Sequence, residues 1–330
     1  MNSPTPFHPS FLLSGPHRQT LWPPLLRQKE SLERHRERLK LEDGDFLDLD
    51  WCGSNEHSPL VVLLHGLTGS SNSKYILGLQ QQLFNQGWQS VAVNFRSCSG
   101  EPNHLARSYH SGDSAELDQI LVEMSSRFPN RPMAAVGYSL GGNVLLKYLG
   151  EQSRNCPLTC AVAVSVPFRL DICAAKMNTG LSRIYRDNFL KELYQQAQDK
   201  IELFQSKGWN EEAQRLTSLI NGSRVKTFEE FDHSITAPLH GFKSGSDYYQ
   251  QSSSRYYLQD IARPTLIIHS EDDPFMTPQA LPRKEELSQD ICFELTSAGG
   301  HVGFIQGSIL RPEFWLEERI PAFLNSYFPP

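Results

Sequence analysis

No stretch of this 330-residue chain approaches the roughly 20 apolar residues that a bilayer-spanning helix needs, so the sequence offers no transmembrane segment. The N-terminus lacks a basic n-region, and Phe11-Leu12-Leu13 is too short for a signal-peptide core. A cytoplasmic location is the expectation. Positive charge is not in excess: 31 Lys and Arg against 37 Asp and Glu leave a net charge of −6, which argues against a nucleic-acid binder. Cysteine is sparse. The six present (Cys52, Cys98, Cys156, Cys160, Cys173, Cys292) form no C-x-x-C pair and no metal-ligand spacing. They read as reduced, buried side chains rather than a disulfide framework. No internal repeat is visible.

What is there alternates. Residues 1–40 read as an irregular Pro-rich arm ending in a mixed charge run over 27–40, expected as a solvated face. Asp43-Gly44 marks a turn, and the apolar/polar alternation of 46–51 predicts an antiparallel edge strand. Short apolar runs then follow at 61–64, 90–94, 133–136 and 160–165, with helical patterns near 74–86, 114–127 and 142–149. Runs of this kind suit strands buried on both faces. The βαβα order predicts an α/β fold with a mostly parallel sheet and helices on both faces. Between 165 and 264 the alternation stops. A helix over 187–205, broken by Gly208, and a second short helix with Ala213, Leu216, Leu219 and Ile220 exceed what one crossover needs. The surplus, about 167–260, is expected to cap the remainder of one α/β domain spanning 41–330. Its aromatics (Phe168, Tyr185, Phe189, Phe228, Phe231, Phe242, Tyr248, Tyr249, Tyr256 and Tyr257) supply candidates to line a pocket, although most should pack the cap itself.

Gly137-Tyr138-Ser139-Leu140-Gly141 stands between the apolar run 133–136 and the helix pattern that follows it. A G-x-S-x-G stretch at a strand-to-helix turn holds the serine strained and exposed above the sheet. An acid and a base should then follow in the order Ser, Asp or Glu, His. Both do. The β-rich run 264–269 leads into Ser270-Glu271-Asp272-Asp273-Pro274, and the run 291–295 leads into Gly299-Gly300-His301-Val302-Gly303. Asp273 is the chosen acid, with Asp272 open as the alternative; His301 is the chosen base. Upstream, the apolar run 61–64 enters His65-Gly66-Leu67-Thr68-Gly69. In this arrangement the oxyanion hole takes the N–H after the nucleophile, Leu140, and one from an early loop. Leu67 is the candidate there, with Thr68 or Gly69 as alternatives. Gly66 allows close backbone approach, and His65 reads as a loop-fixing residue rather than a second base.

With these motifs assembled, the chain resembles the YheT-type branch of the α/β hydrolases, also called the fourth AB-hydrolase family. The resembling stretches run nearly end to end: Pro16-His17-Arg18-Gln19-Thr20, His65-Gly66-Leu67-Thr68-Gly69, Asn94-Phe95-Arg96-Ser97-Cys98, Gly137 to Asn143, Ile235 to Phe242, Asp272-Asp273-Pro274 and Gly299 to Phe304. Ser97 departs from the glycine that the family usually has there. The resemblance implies serine-hydrolase chemistry on carboxylic esters, including acylglycerols, and places Pro238 to Phe242 near the site.

The reading that results is an esterase acting on small acyl esters, short- to medium-chain or acylglycerol, through Ser139, His301 and Asp273. It calls for no metal or organic cofactor and leaves room for transient contact with lipid surfaces. Acyl transfer from Ser139 to an alcohol is the second reading. None of the eleven histidines has an aspartate five positions on, so a separate His-x4-Asp acyltransferase motif is missing. A non-catalytic scaffold is the third. Acyl length, the alcohol and the oligomeric state are not written in these motifs.

Overall fold

The computed structural model describes residues 6–28, 31–54, 57–221, 225–308 and 310–328. Its centre is an eight-stranded sheet in the order β1-β2-β4-β3-β5-β6-β7-β8. The strands are β1 (His35–Lys40), β2 (Phe46–Cys52), β3 (Leu60–Leu64), β4 (Gln89–Asn94), β5 (Met133–Tyr138), β6 (Cys160–Val164), β7 (Thr265–Ser270) and β8 (Ile291–Thr296). From β4 to β8 every pairing is parallel, while β1 and β2 are antiparallel to their neighbours. Successive residues of a strand face opposite sides, and the central strands are apolar on both. Val62 and Leu64 pack into one core with helices α3 (Ser114–Arg127) and α4 (Leu140–Gln152). Val61 and Leu63 pack into another with α2 (Lys74–Asn85) and α11 (Leu316–Leu324). This is the doubly covered α/β sheet expected from the run of buried strands.

The arm expected over 1–40 is corrected. Residues Pro16–Leu26 form helix α1, and the end of the charge run is β1. Arg36 and Arg38 stand opposite Asp50 and Asp48 in register, each pair at 2.8 Å. Cross-strand pairs of opposite charge support an antiparallel pair, so this run is built into the sheet. It also moves the edge. β2, expected as an edge strand, lies inside with β1 beyond it.

Between β6 and β7 the chain forms α5 (Leu170–Met177), α6 (Ser182–Lys207), α7 (Asn210–Asn221), α8 (Phe228–Phe231), α9 (Ala237–His240) and α10 (Gly245–Ser252). Gly208 ends α6 with φ 72°, a left-handed position that glycine adopts without strain. Leu190, Ile201 and Phe204 of α6 meet Ala213, Leu216 and Ile220 of α7 in a core of their own. After β8, a two-stranded hairpin of β9 (Ile305–Ser308) and β10 (Arg311–Phe314) follows the His301 loop. No helix among the described residues is long and apolar enough to cross a membrane.

Candidate active site

Ser139 sits at the turn from β5 into α4 with φ 52° and ψ −118°. A non-glycine residue in that region carries about 1–3 kcal/mol of strain, so the surroundings must impose it. The elbow glycines show how. A side-chain carbon on Gly141 would lie 2.5 Å from the His65 carbonyl oxygen, and one on Gly142 would lie 2.8 Å from Val166. Only glycine lets the first turn of α4 press this closely on its neighbours. Ser139 N–H donates to the Val164 carbonyl at 2.8 Å, which ties the turn to β6.

The predicted base and acid meet this serine. His301 Nε2 is 2.8 Å from Ser139 Oγ, and His301 Nδ1 is 2.7 Å from Asp273 Oδ2. A carboxylate only accepts, so Nδ1 carries the proton and Nε2 is left to accept from the serine hydroxyl. Asp273 is buried, and its Oδ1 accepts the Phe275 N–H at 2.9 Å, which sets the carboxylate's orientation. Of the two candidate acids, the structure brings Asp273 to the imidazole. Asp272 instead accepts the Gly300 N–H at 2.8 Å and holds the loop that carries His301.

The loop after β3 sorts its own donors. Gly66 N–H bonds to the Tyr75 hydroxyl at 2.9 Å, Thr68 N–H to the Tyr109 hydroxyl at 2.8 Å, and Gly69 N–H to the Gly66 carbonyl at 3.0 Å. Leu67 N–H and Leu140 N–H have no acceptor among the described residues, and both residues line the cavity at Ser139. His65 fixes this loop. Its Nδ1 donates to the Gly66 carbonyl at 2.7 Å and its Nε2 accepts the Phe95 N–H at 3.1 Å, so both ring nitrogens are engaged by backbone. Complete burial pushes its pKa down to about 4 and keeps it neutral.

Ser139, His301, Leu67 and Leu140 open onto a cavity of about 570 Å³. Tyr185, Phe189, Phe228 and Tyr249 of the inserted helices line it, together with Phe275, whose ring lies 4.2 Å from that of His301. Phe231 packs inside the helical insertion instead, and Tyr256 is exposed. The Pro238 to Phe242 stretch is not among the residues lining this cavity. Leu239 and His240 line a smaller adjoining one of about 100 Å³. Asn143, buried at the first turn of α4, has a role that its place in the motif does not reveal. Its amide donates to the Ser111 and Ser252 carbonyls at 2.7 Å, and its oxygen accepts the Ser254 N–H at 3.0 Å. It staples the elbow helix to the end of the inserted helices. Tyr75 and Tyr109, which hold the loop after β3, gave no sequence signal because single tyrosines far apart in the chain form no pattern.

Residues 59–308 match the family described as alpha/beta hydrolase fold. The chain belongs to this family. Within it, the Escherichia coli (strain K12) protein YheT, an esterase by its provisional name, is 41% identical across 99% of this chain and 95% of its own. That likeness places the chain in the YheT-type branch. Human phospholipase ABHD3 is 27% identical over 93% of this chain and 76% of its own. The Saccharomyces cerevisiae monoacylglycerol lipase is 28% identical over 83% of this chain and 60% of its own. Among solved structures, the Pyrococcus furiosus esterase Pf2001 superposes with a TM-score of 0.58 at 19% identity, covering 90% of this chain and 92% of that one. It shares the α/β-hydrolase fold.

Proposed function

We propose that this carboxylic ester hydrolase works through Ser139, His301 and Asp273, forming an acyl-enzyme on short- to medium-chain acyl esters or acylglycerols. One observation carries the reading: the unbroken hydrogen-bonded line Ser139–His301–Asp273 opens into a largely apolar, aromatic-lined cavity. Ser139 Oγ attacks the ester carbonyl while His301 Nε2 takes its proton. Asp273 holds the imidazole tautomer and stabilises the imidazolium. The N–H groups of Leu67 and Leu140 receive the tetrahedral oxyanion, worth about 3–4 kcal/mol per donor in comparable sites. His301 returns the proton to the alcohol as it leaves, and water resolves the acyl-enzyme.

In this reading residues 167–260 cap the site, and their aromatic side chains take the acyl chain while excluding water. Leu21, Leu25 and Leu26 of α1, with Leu181 and Ile184 at the start of α6, are exposed apolar residues. Leu21 also lines the cavity, and so does Tyr185, next to Ile184. Apolar side chains at this opening support transient contact with a lipid surface, which would deliver acylglycerols.

A panel of p-nitrophenyl esters of increasing chain length, beside monoacylglycerols and with added ethanol, tests the reading. The expected result is a kcat/KM maximum at short to medium chains with free acid as the main product. Predominant ethyl ester would favour acyl transfer from Ser139, and no turnover of any ester would overturn both.

A further inference from the structure

Helix α1 completely buries one side chain, and it is polar. Gln19 is 0% exposed, and both polar atoms of its amide are engaged: Nε2 donates to the carbonyls of Leu13 at 3.1 Å and Ile305 at 3.0 Å, and Oε1 accepts the Ile305 N–H at 2.7 Å. One residue on, Thr20 Oγ1 donates to the Pro16 carbonyl at 2.7 Å and accepts the N–H of His301 at 2.9 Å. The bond to Pro16 consumes the hydroxyl proton and leaves a lone pair for His301. Contact between helix and loop continues through the backbone. A side-chain carbon on Gly300 would lie 2.6 Å from the Pro16 carbonyl oxygen, and one on Gly303 would strike the Gln19 carbonyl. Glycines on both sides of His301 are therefore what lets the loop lie on α1.

The loop needs outside support. Gly300, Val302 and Phe304 have φ of 59°, 63° and 45°, and a left-handed β-branched residue such as Val302 is strained. Its N–H groups are met from other parts of the chain: Gly300 by Asp272, His301 by Thr20, Val302 by the Ser165 hydroxyl and Ile305 by Gln19. Two of these four acceptors belong to adjacent residues of α1, and they bracket the segment that begins with the imidazole.

We propose that Gln19 and Thr20 are positioning residues for His301, so that α1 sets the imidazole between Ser139 and Asp273 and is a working part of the hydrolytic site. This rests on the Ser139–His301–Asp273 reading. The test uses the full chain carrying Thr20→Val, which keeps the shape and loses the acceptor, beside Thr20→Ser, which keeps the hydroxyl. The number of competent sites is titrated with a fluorophosphonate, and kcat and KM are measured per titrated site on a p-nitrophenyl ester. A displacement of about 1 Å in such a group costs on the order of 10²-fold in rate. The expected result is kcat down by about 10- to 100-fold in Thr20→Val with KM little changed, and near-parental kcat in Thr20→Ser. Parental kcat per titrated site in Thr20→Val, with only the melting temperature lowered, would overturn the proposal. Should valine prevent folding, Thr20→Ala against Thr20→Ser is read in the same way. Full activity in Ser139→Ala would instead refute the triad itself, so the two failures are told apart.

Discussion

Asp272 and Asp273 are neighbours with different work. Asp273 Oδ2 meets His301 Nδ1, while Asp272 Oδ1 meets the Gly300 N–H. Replacing a triad carboxylate by its amide leaves the geometry and removes the ability to hold the right tautomer. Asp273→Asn is therefore expected to lose about 10⁴-fold in kcat, and Asp272→Asn far less, since its amide oxygen can still accept the Gly300 N–H. Steady-state kinetics of the two variants on one ester checks this, and equal losses would contradict it. Ser97 is a smaller case. It stands where the family usually has glycine and takes φ 62°, a glycine-like conformation, with its N–H and hydroxyl both bonded to Asn103. The bonds to Asn103 hold the serine where glycine would settle without strain.

At the scale of elements, legibility followed period and chain order. The elbow, the two later loops and the parallel strands could be read because each rests on a short apolar run, which leads into glycines at the elbow and the His301 loop and into Asp272-Asp273-Pro274 after β7. β1 was missed because its signal is carried by charge. Arg34, Arg36 and Arg38 recur at every second position, the period of a strand, and Asp48 and Asp50 recur likewise on the strand they pair with. Read as hydropathy alone, the run is merely polar. α1 was hidden by its prolines, Pro23 and Pro24, which argue against a helix. The overlooked sign was Pro16 at its first position, where proline's fixed φ favours a helix start. The site followed the same rule. Ser139, Asp273 and His301 lay in motifs, whereas Thr20, Tyr75 and Tyr109 make contacts that only the tertiary fold creates.

For the whole molecule, buried histidines set a pH limit. His269 is buried on β7, its Nδ1 has no hydrogen-bond partner among the described residues, and desolvation pushes its pKa down to about 4. An unfolded histidine takes its proton near 6.5. Between about 6.5 and 4 the unfolded chain thus binds the proton that the folded chain refuses, and this contribution lowers stability as pH falls. His65 acts in the same sense. Asp232 opposes it, because burial raises its carboxyl to about 6 and the folded chain keeps that proton longer. Removing one histidine isolates its share. The stability of His269→Phe relative to the parent, from urea unfolding, is expected to improve as pH drops from 7 to 5. A difference independent of pH would show that this ring does not contribute.

The proposed chemistry turns on a single oxygen, Ser139 Oγ, held by His301 in the elbow between β5 and α4. Mapping the adduct of a serine-reactive fluorophosphonate by mass spectrometry tests it most directly, with Ser139→Ala and its ester turnover as the control. The expected result is one adduct, on Ser139, no adduct in the variant, and turnover reduced by several orders of magnitude. An adduct on another residue, or undiminished turnover in Ser139→Ala, would contradict it.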